Sequence, residues 1–328
     1  MSMKVALTGA TGFLGSHLAE QLTREGHKVR AIVRGTSNTK FLNELGAEIV
    51  QANLHTGEGL DKAVSDVDAV VHGAAVVKAR SEAEFHSVNA GGTERVLDAV
   101  KRHNPKVKRF VYVSSLAAHG FSDDGKPRAV TAEARPVTHY GRSKLAGERK
   151  VLESAGDLPI TVIRPPAIYG PRDTEMFAFF QTVQRRLIPF MGDPNNTLSI
   201  AYAPDVANGI YLALTKEHDS GRVYFVEDGN VYTQRDLGRH IADALGVRAL
   251  ALPVPIGAVS LVAAATELYG KLTDKAVMLT RDKVNELKQP YIVCASDEIR
   301  NDLGWAPKVT FPEGAKITAD WYRQHGWL

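Results

Sequence analysis

The sequence predicts an α/β protein: a doubly wound parallel sheet with helices on both faces, and a smaller, mostly helical C-terminal domain capping the strand ends. Three features predict it. Short runs rich in Val and Ile alternate with segments of helical period, a glycine-spaced turn ends the first run, and the rhythm changes after Arg164. The runs are KVAL (4–7), KVRAIV (28–33), AEIV (47–50), AVVH (69–72), RFVYVS (109–114) and ITVIR (160–164). Between them, FLGSHLAEQLTREG and NAGGTERVLDAVKRH carry apolar residues at helical spacing. Near-continuous apolar strands suit burial on both faces. Beyond Arg164 prolines cluster (Pro165, Pro166, Pro171, Pro189, Pro194), and helices mix with isolated strands. DVANGIYLALTK (205–216) and GRVYFVEDG (221–229) read as one more helix and strand able to rejoin the sheet. The expected division is therefore a nucleotide-binding domain over 1–170, rejoined by 205–228, with a substrate-binding cap over 171–204 and 229–328.

Composition narrows the function class. At 328 residues the chain suffices for one large domain or two unequal ones, and 44% hydrophobic with 23% charged residues is ordinary for a globular protein. A net charge of +3 does not call for nucleic acid or an anionic surface. The lone Cys294 excludes an intramolecular disulfide and a multi-cysteine metal site, and points to a reducing, cytoplasmic compartment. No His/Asp/Glu cluster has ligand spacing, so no metal is expected. Residues 4–7 read as a strand entering a turn, not as an export core. The charge-free stretch ALALPVPIGAVSLVAAAT (249–266) is broken by Pro253 and Pro255. A helix beginning after these prolines is too short for a bilayer span and reads as a buried or pocket-covering helix; contact with a membrane is the alternative.

The turn GATGFLG places Gly9, Gly12 and Gly15 between a strand and a helix. The first glycine suits a sharp turn, the second lets backbone approach a pyrophosphate, and the third lets helix and strand pack closely. The helix N-terminus then offers free N–H groups to the phosphates. In this strand–turn–helix setting the motif predicts a Rossmann-type dinucleotide site.

The spacing G-x-x-G-x-x-G resembles the extended short-chain dehydrogenase/reductase family, which includes nucleotide-sugar epimerases and dehydratases, 3β-hydroxysteroid dehydrogenases and dihydroflavonol reductases. HGAA (72–75), VNAGGTERVLDAV (88–100), YVSS, YGRSK, RPPAIYGP and YAPDVA come after it in the family's order. The resemblance implies cofactor contacts from Thr11, Phe13 and Leu14 in the turn, Ala74 and Ala75 of HGAA, and Pro165 and Ile168 of RPPAIYGP. Where the family carries Asp before a hydrophobic residue after the third strand, to contact the adenine amine, this chain has Asn53 and Leu54; an amide oxygen can still accept from that amine. Asn89 matches a position that steadies the central helix and backbone.

The second strand ends AIVRG, with Arg34 where an acidic residue would mark NAD. A guanidinium there, with Lys40 nearby, pairs with a 2′-phosphate, so NADP(H) is favoured over NAD(H). Tyr140 and Lys144, four residues apart, share one helix face. The resemblance makes Tyr140 the general acid/base, Lys144 the cation that stabilises its phenolate and holds the nicotinamide ribose, and Ser115 the donor that orients the substrate oxygen. His72 and His139 read as packing or hydrogen-bonding residues.

Substrate clues are subtractive. Nucleotide-sugar members carry an arginine before the Y-V-x-D segment; here Leu198 stands there, although Arg172 is retained as a phosphate partner or a loop charge. Dehydratases tend to have an acidic pair after the serine; here Leu116 and Ala117 stand in its place. Phe177, Phe179 and Phe180 line an apolar pocket or pack the cap. The expectation is an oxidoreductase interconverting a ketone and a secondary alcohol on a small, apolar, non-nucleotide substrate. Its alternatives are a nucleotide-sugar epimerase or dehydratase with tightly held NAD, and a dinucleotide sensor without turnover. The resemblance further implies a homodimer through helices at 88–103 and 139–155.

Overall fold

The computed structural model describes residues 2–328. Seven parallel strands form the main sheet: β1 (Lys4–Thr8), β2 (Lys28–Val33), β3 (Glu48–Gln51), β4 (Ala69–His72), β5 (Arg109–Val113), β6 (Ile160–Arg164) and β7 (Arg222–Phe225). Their spatial order is β7-β6-β5-β4-β1-β2-β3. Strand order thus reverses between β1 and β4, and the crevice beyond their carboxyl ends is where such sheets bind ligands. All the expected strand runs are present, with ends shifted by a residue or so. The strand within 221–229 does join the sheet, beside β6.

Each face of the sheet has its own core. On one side lie α1 (Phe13–Arg24) and, further along the chain, the helix Ala203–Thr215; Leu18, Leu22, Val206 and Ile210 bury against Val5, Leu7 and Val71. Over the other side pack α2 (Gly91–His103) and α3 (His139–Glu153), through Val96, Val100 and Val151 against Phe110 and Val162. A π-helical turn, His86–Ala90, leads into α2, so the helix expected from residue 88 begins with a bulge. Such bulges re-aim side chains, and this one carries Asn89.

A third core, away from the sheet faces, gathers Tyr169, Phe180, Phe190, Tyr232, Phe311 and Tyr322, drawing Tyr169 from the range expected for the nucleotide-binding domain. Phe180 is buried within it and Phe177 stacks edge-on against Tyr322 and Trp327, so these aromatics pack this core. Leu198 lies against the same core.

The stretch 249–266 departs from expectation. Its first part is a strand, Leu250–Val254, paired in parallel with Leu187–Met191. Pro255 then precedes α4 (Ile256–Thr273), which rests on α5 (Arg281–Leu287). The burial expected of this helix is not found: only Val259, Ala263 and Gly270 are buried, while Leu261 is 73% and Leu272 78% exposed. One layer of contact with α5 covers one side and leaves the other open. Among the described residues no helix is long and apolar enough to cross a membrane.

Candidate active site

At Thr8 the chain must leave β1 and enter α1 within a few residues. Gly9 makes this turn at φ +79°, a conformation that side chains resist. A Cβ on Gly9 would lie 2.9 Å from the Ala74 nitrogen, and one on Gly15 would lie 2.0 Å from the Gly9 carbonyl oxygen. The turn, the helix and the chain after β4 therefore touch backbone to backbone. Gly12 caps α1 without any side-chain hydrogen bond, leaving the first N–H groups, those of Phe13, Leu14 and Gly15, uncovered. Thr11 and Gly12 are exposed beside them. An unobstructed turn with uncapped donors fits the pyrophosphate of a dinucleotide.

The opposite wall of the crevice is held by a chain of hydrogen bonds that sequence reading missed. Thr93 Oγ1 donates to the Asn89 carbonyl at 2.6 Å and lies 3.0 Å from His72 Nε2, while His72 Nδ1 lies 2.7 Å from Thr8 Oγ1. Thr8 in turn accepts from Ala74 N at 3.1 Å. These directions are all satisfied by one neutral imidazole with its proton on Nε2. Burial, and then the Lys144 charge, hold His72 neutral by lowering it to about 3. Asn89 completes the wall: its oxygen accepts from Val76 N at 2.8 Å, and its amide donates to Val76 O and to Ser143 on α3. This is the steadying role expected of it, reaching the loop that carries Ala74 and the exposed Ala75.

Ser115, Tyr140 and Lys144 come together beyond β5. Ser115 caps the short helix Leu116–His119, accepting from Ala117 N at 3.1 Å. Tyr140 and Lys144 sit one turn apart near the start of α3, which Thr138 caps. The buried Lys144 ammonium donates to the Val113 carbonyl at 2.7 Å and lies 4.2 Å above the Tyr112 ring. Desolvation lowers it to about 7, against the Glu148 charge. Desolvation also raises the Tyr140 hydroxyl to about 12, while its hydrogen bond with Ser115 favours phenolate. Glu148, one turn beyond Lys144, is itself paired with Arg164, which also reaches His119 Nδ1 at 3.1 Å. This buried pair ties α3 to β6.

The remaining predicted positions follow the carboxyl ends of β2, β3 and β6. Arg34 and Lys40 are exposed past the end of β2, and neither has a salt-bridge partner among the described residues. The Asn53 oxygen accepts from His55 N at 2.8 Å and Thr56 N at 3.3 Å, so a local turn uses it. Leu54 packs toward α2, where its carbonyl accepts from Arg95. The buried Pro165 comes just after β6 and its carbonyl accepts from Leu116 N at 2.8 Å; Ile168 lies in a strand paired with Ile200–Tyr202. Arg172 is bonded to Glu20 and stacked 4.8 Å from the Phe41 ring, a brace between the loop after β6 and α1.

Residues 5–226 match the model of the NAD dependent epimerase/dehydratase family. A ceramide reductase of Caulobacter vibrioides is 30% identical over 99% of this chain and 96% of its own. A UDP-glucose 4-epimerase of Vibrio cholerae is 28% identical over 99% and 97%. The crystal structure of gox2253 superposes with a TM-score of 0.82 at 27% identity, covering all of both chains.

Proposed function

This chain belongs to the NAD dependent epimerase/dehydratase family and is an oxidoreductase of the extended short-chain dehydrogenase/reductase kind; within that family we propose that it is an NADP(H)-dependent reductase of a ketone on an apolar, non-nucleotide substrate. The observation that carries this reading is the set of groups around Ser115. Tyr140 stands beside it as the candidate acid, and the positions after the serine, where a dehydratase needs proton-transfer groups, are the buried Leu116 and Ala117.

Gly9, Gly12 and Gly15 would hold the pyrophosphate, Arg34 and Lys40 a 2′-phosphate, and Lys144 the nicotinamide ribose. When bound, the nicotinamide supplies hydride in reduction and accepts it in oxidation. Tyr140, held near 12, keeps its proton at neutral pH and gives it to the substrate oxygen, which Ser115 orients. Lys144 stabilises the phenolate that remains. In oxidation Tyr140 must first lose its proton, so that direction is favoured by rising pH and reduction is the direction suited to neutrality. The apolar substrate is supported by Leu198 in place of the phosphate-binding arginine, by the engagement of Arg172 with Glu20, and by the likeness to a ceramide reductase. The similar identity to a UDP-glucose 4-epimerase keeps one rival, a nucleotide-sugar epimerase retaining NAD.

Denaturing the freshly purified protein and identifying the released nucleotide separates the two. The reductase reading expects no stoichiometric nucleotide and tighter binding of NADPH than of NADH. Stoichiometric NAD⁺ would overturn it.

A further inference from the structure

The face of α4 turned away from α5 carries Ala258, Leu261, Val262, Ala265, Leu268, Tyr269 and Leu272. Their spacing of three, four and seven places them in one stripe along the helix. The large members are 53–78% exposed. The strand that runs into α4 adds Leu250, 74% exposed, and Leu252, and its parallel partner adds Leu187 and Met191. A run of large apolar residues this exposed on helix and strand marks a contact surface.

Charge at its borders indicates what it contacts. Arg185, Arg186 and Arg248 are exposed at the start of the strand pair, and Lys271 and Lys275 at the end of α4. None has a salt-bridge partner among the described residues, whereas Glu267 is engaged with Arg281, Asp274 with Arg80 and Glu286 with Lys283; the exposed Asp193 and Asp243 near the strand pair are two carboxylates set against these five cations. In a two-fold pair of this chain the same patch would face itself, bringing cation borders toward one another. Anionic headgroups would instead neutralise them while the stripe enters the acyl boundary.

We infer that α4 and the strand pair leading into it dock this protein on an anionic lipid bilayer, with the helix lying in the plane of the surface. At 18 residues and with Glu267 and Lys271 within it, α4 lies on a membrane and does not span it. The docked element is close to the catalytic groups. Asp282 on α5 accepts from the His139 backbone nitrogen at 2.9 Å, at the start of the helix that carries Tyr140. A crevice of about 550 Å³ beside them is polar, lined by His139, Glu267, Arg281, Asp282, Asn285 and Lys288 together with Ser260 and Val284. The docking inference itself does not rest on the oxidoreductase reading.

The full chain would be sedimented with vesicles of phosphatidylcholine alone and with vesicles containing phosphatidylglycerol. Binding to the second, weakened by salt and much poorer on the first, is expected. The triple variant Leu261→Asn, Leu268→Asn, Leu272→Asn should lose about tenfold or more in vesicle affinity with an unchanged melting temperature. Because Cys294 is buried, Leu268→Cys carries a single accessible thiol, and an environment-sensitive dye placed there should report an apolar medium when vesicles are added. Three results would each overturn the inference: no vesicle binding by the wild-type chain, equal binding by the triple variant, or a wild-type dimer that the triple variant converts to monomer.

Discussion

The strand-end crevice and the α4 face are built on opposite principles. Around Gly9 and Gly15, backbone meets backbone at distances that admit no added carbon, and every wall residue from Thr8 to Ser143 is committed to a hydrogen bond. Along α4 the large side chains point outward and neighbouring space is open. The first region positions chemistry that tolerates little error; the second specifies little about itself and is free to meet something else. On the function proposed above, the closely packed crevice would set the reaction type, and the open α4 face would set the surroundings.

The sharpest way to test the rigid half is at its acid. Tyr140→Phe should lower turnover by about 10²–10⁴-fold with dinucleotide affinity unchanged in a fluorescence titration; intact turnover would remove Tyr140 from the mechanism. Next comes one substitution made in both regions. Gly15→Ala forces a Cβ to 2.0 Å from the Gly9 oxygen and should cost about 1–3 kcal/mol along with most dinucleotide binding. Gly257→Ala on α4 meets nothing within 4 Å and should leave the melting temperature the same or raise it slightly. Equal losses at both sites would erase the contrast.

Lys144 gives a pH-dependent test. Its folded value near 7 lies below the ordinary lysine value, so the folded state binds fewer protons than the unfolded chain between about 7 and 10.4. Burying this group therefore costs most below about 7, and its cost fades as pH rises toward 10.4. Lys144→Met should stabilise the protein by an amount on the order of a few kcal/mol at pH 6 or so and by little near pH 10, read from denaturant midpoints. A gain independent of pH would contradict the assignment. Smaller again is Arg34→Ala, which should weaken NADPH binding about tenfold and leave NADH binding alone, compressing the preference between them.

Much of this was legible in the sequence because it rests on local rules. Val- and Ile-rich runs marked the strands, and the glycine spacing placed the turn without knowledge of its neighbours. Tyr140 and Lys144 were readable as a pair from helical spacing. Their roles, like that of Ser115, came from the resemblance, and the approach of Ser115 to Tyr140 depends on α3 packing against the short helix after β5. The Thr8–His72–Thr93 chain could not be read, since it joins residues from two strands and a helix that only tertiary packing brings together. The α4 face failed for a related reason. An apolar stretch predicts that something will cover it, and periodicity does not say whether the cover is the protein's own core.

Net reduction of an apolar ketone with exchange of NADP(H) is tested most directly by nicotinamide absorbance during incubation with NADPH and a panel of long-chain ketones. Substrate-dependent loss of NADPH is expected, matched by alcohol formed, absent with Tyr140→Phe and slower with NADH. No net oxidation with any ketone, together with interconversion of a nucleotide sugar on retained NAD⁺, would contradict the proposed reduction.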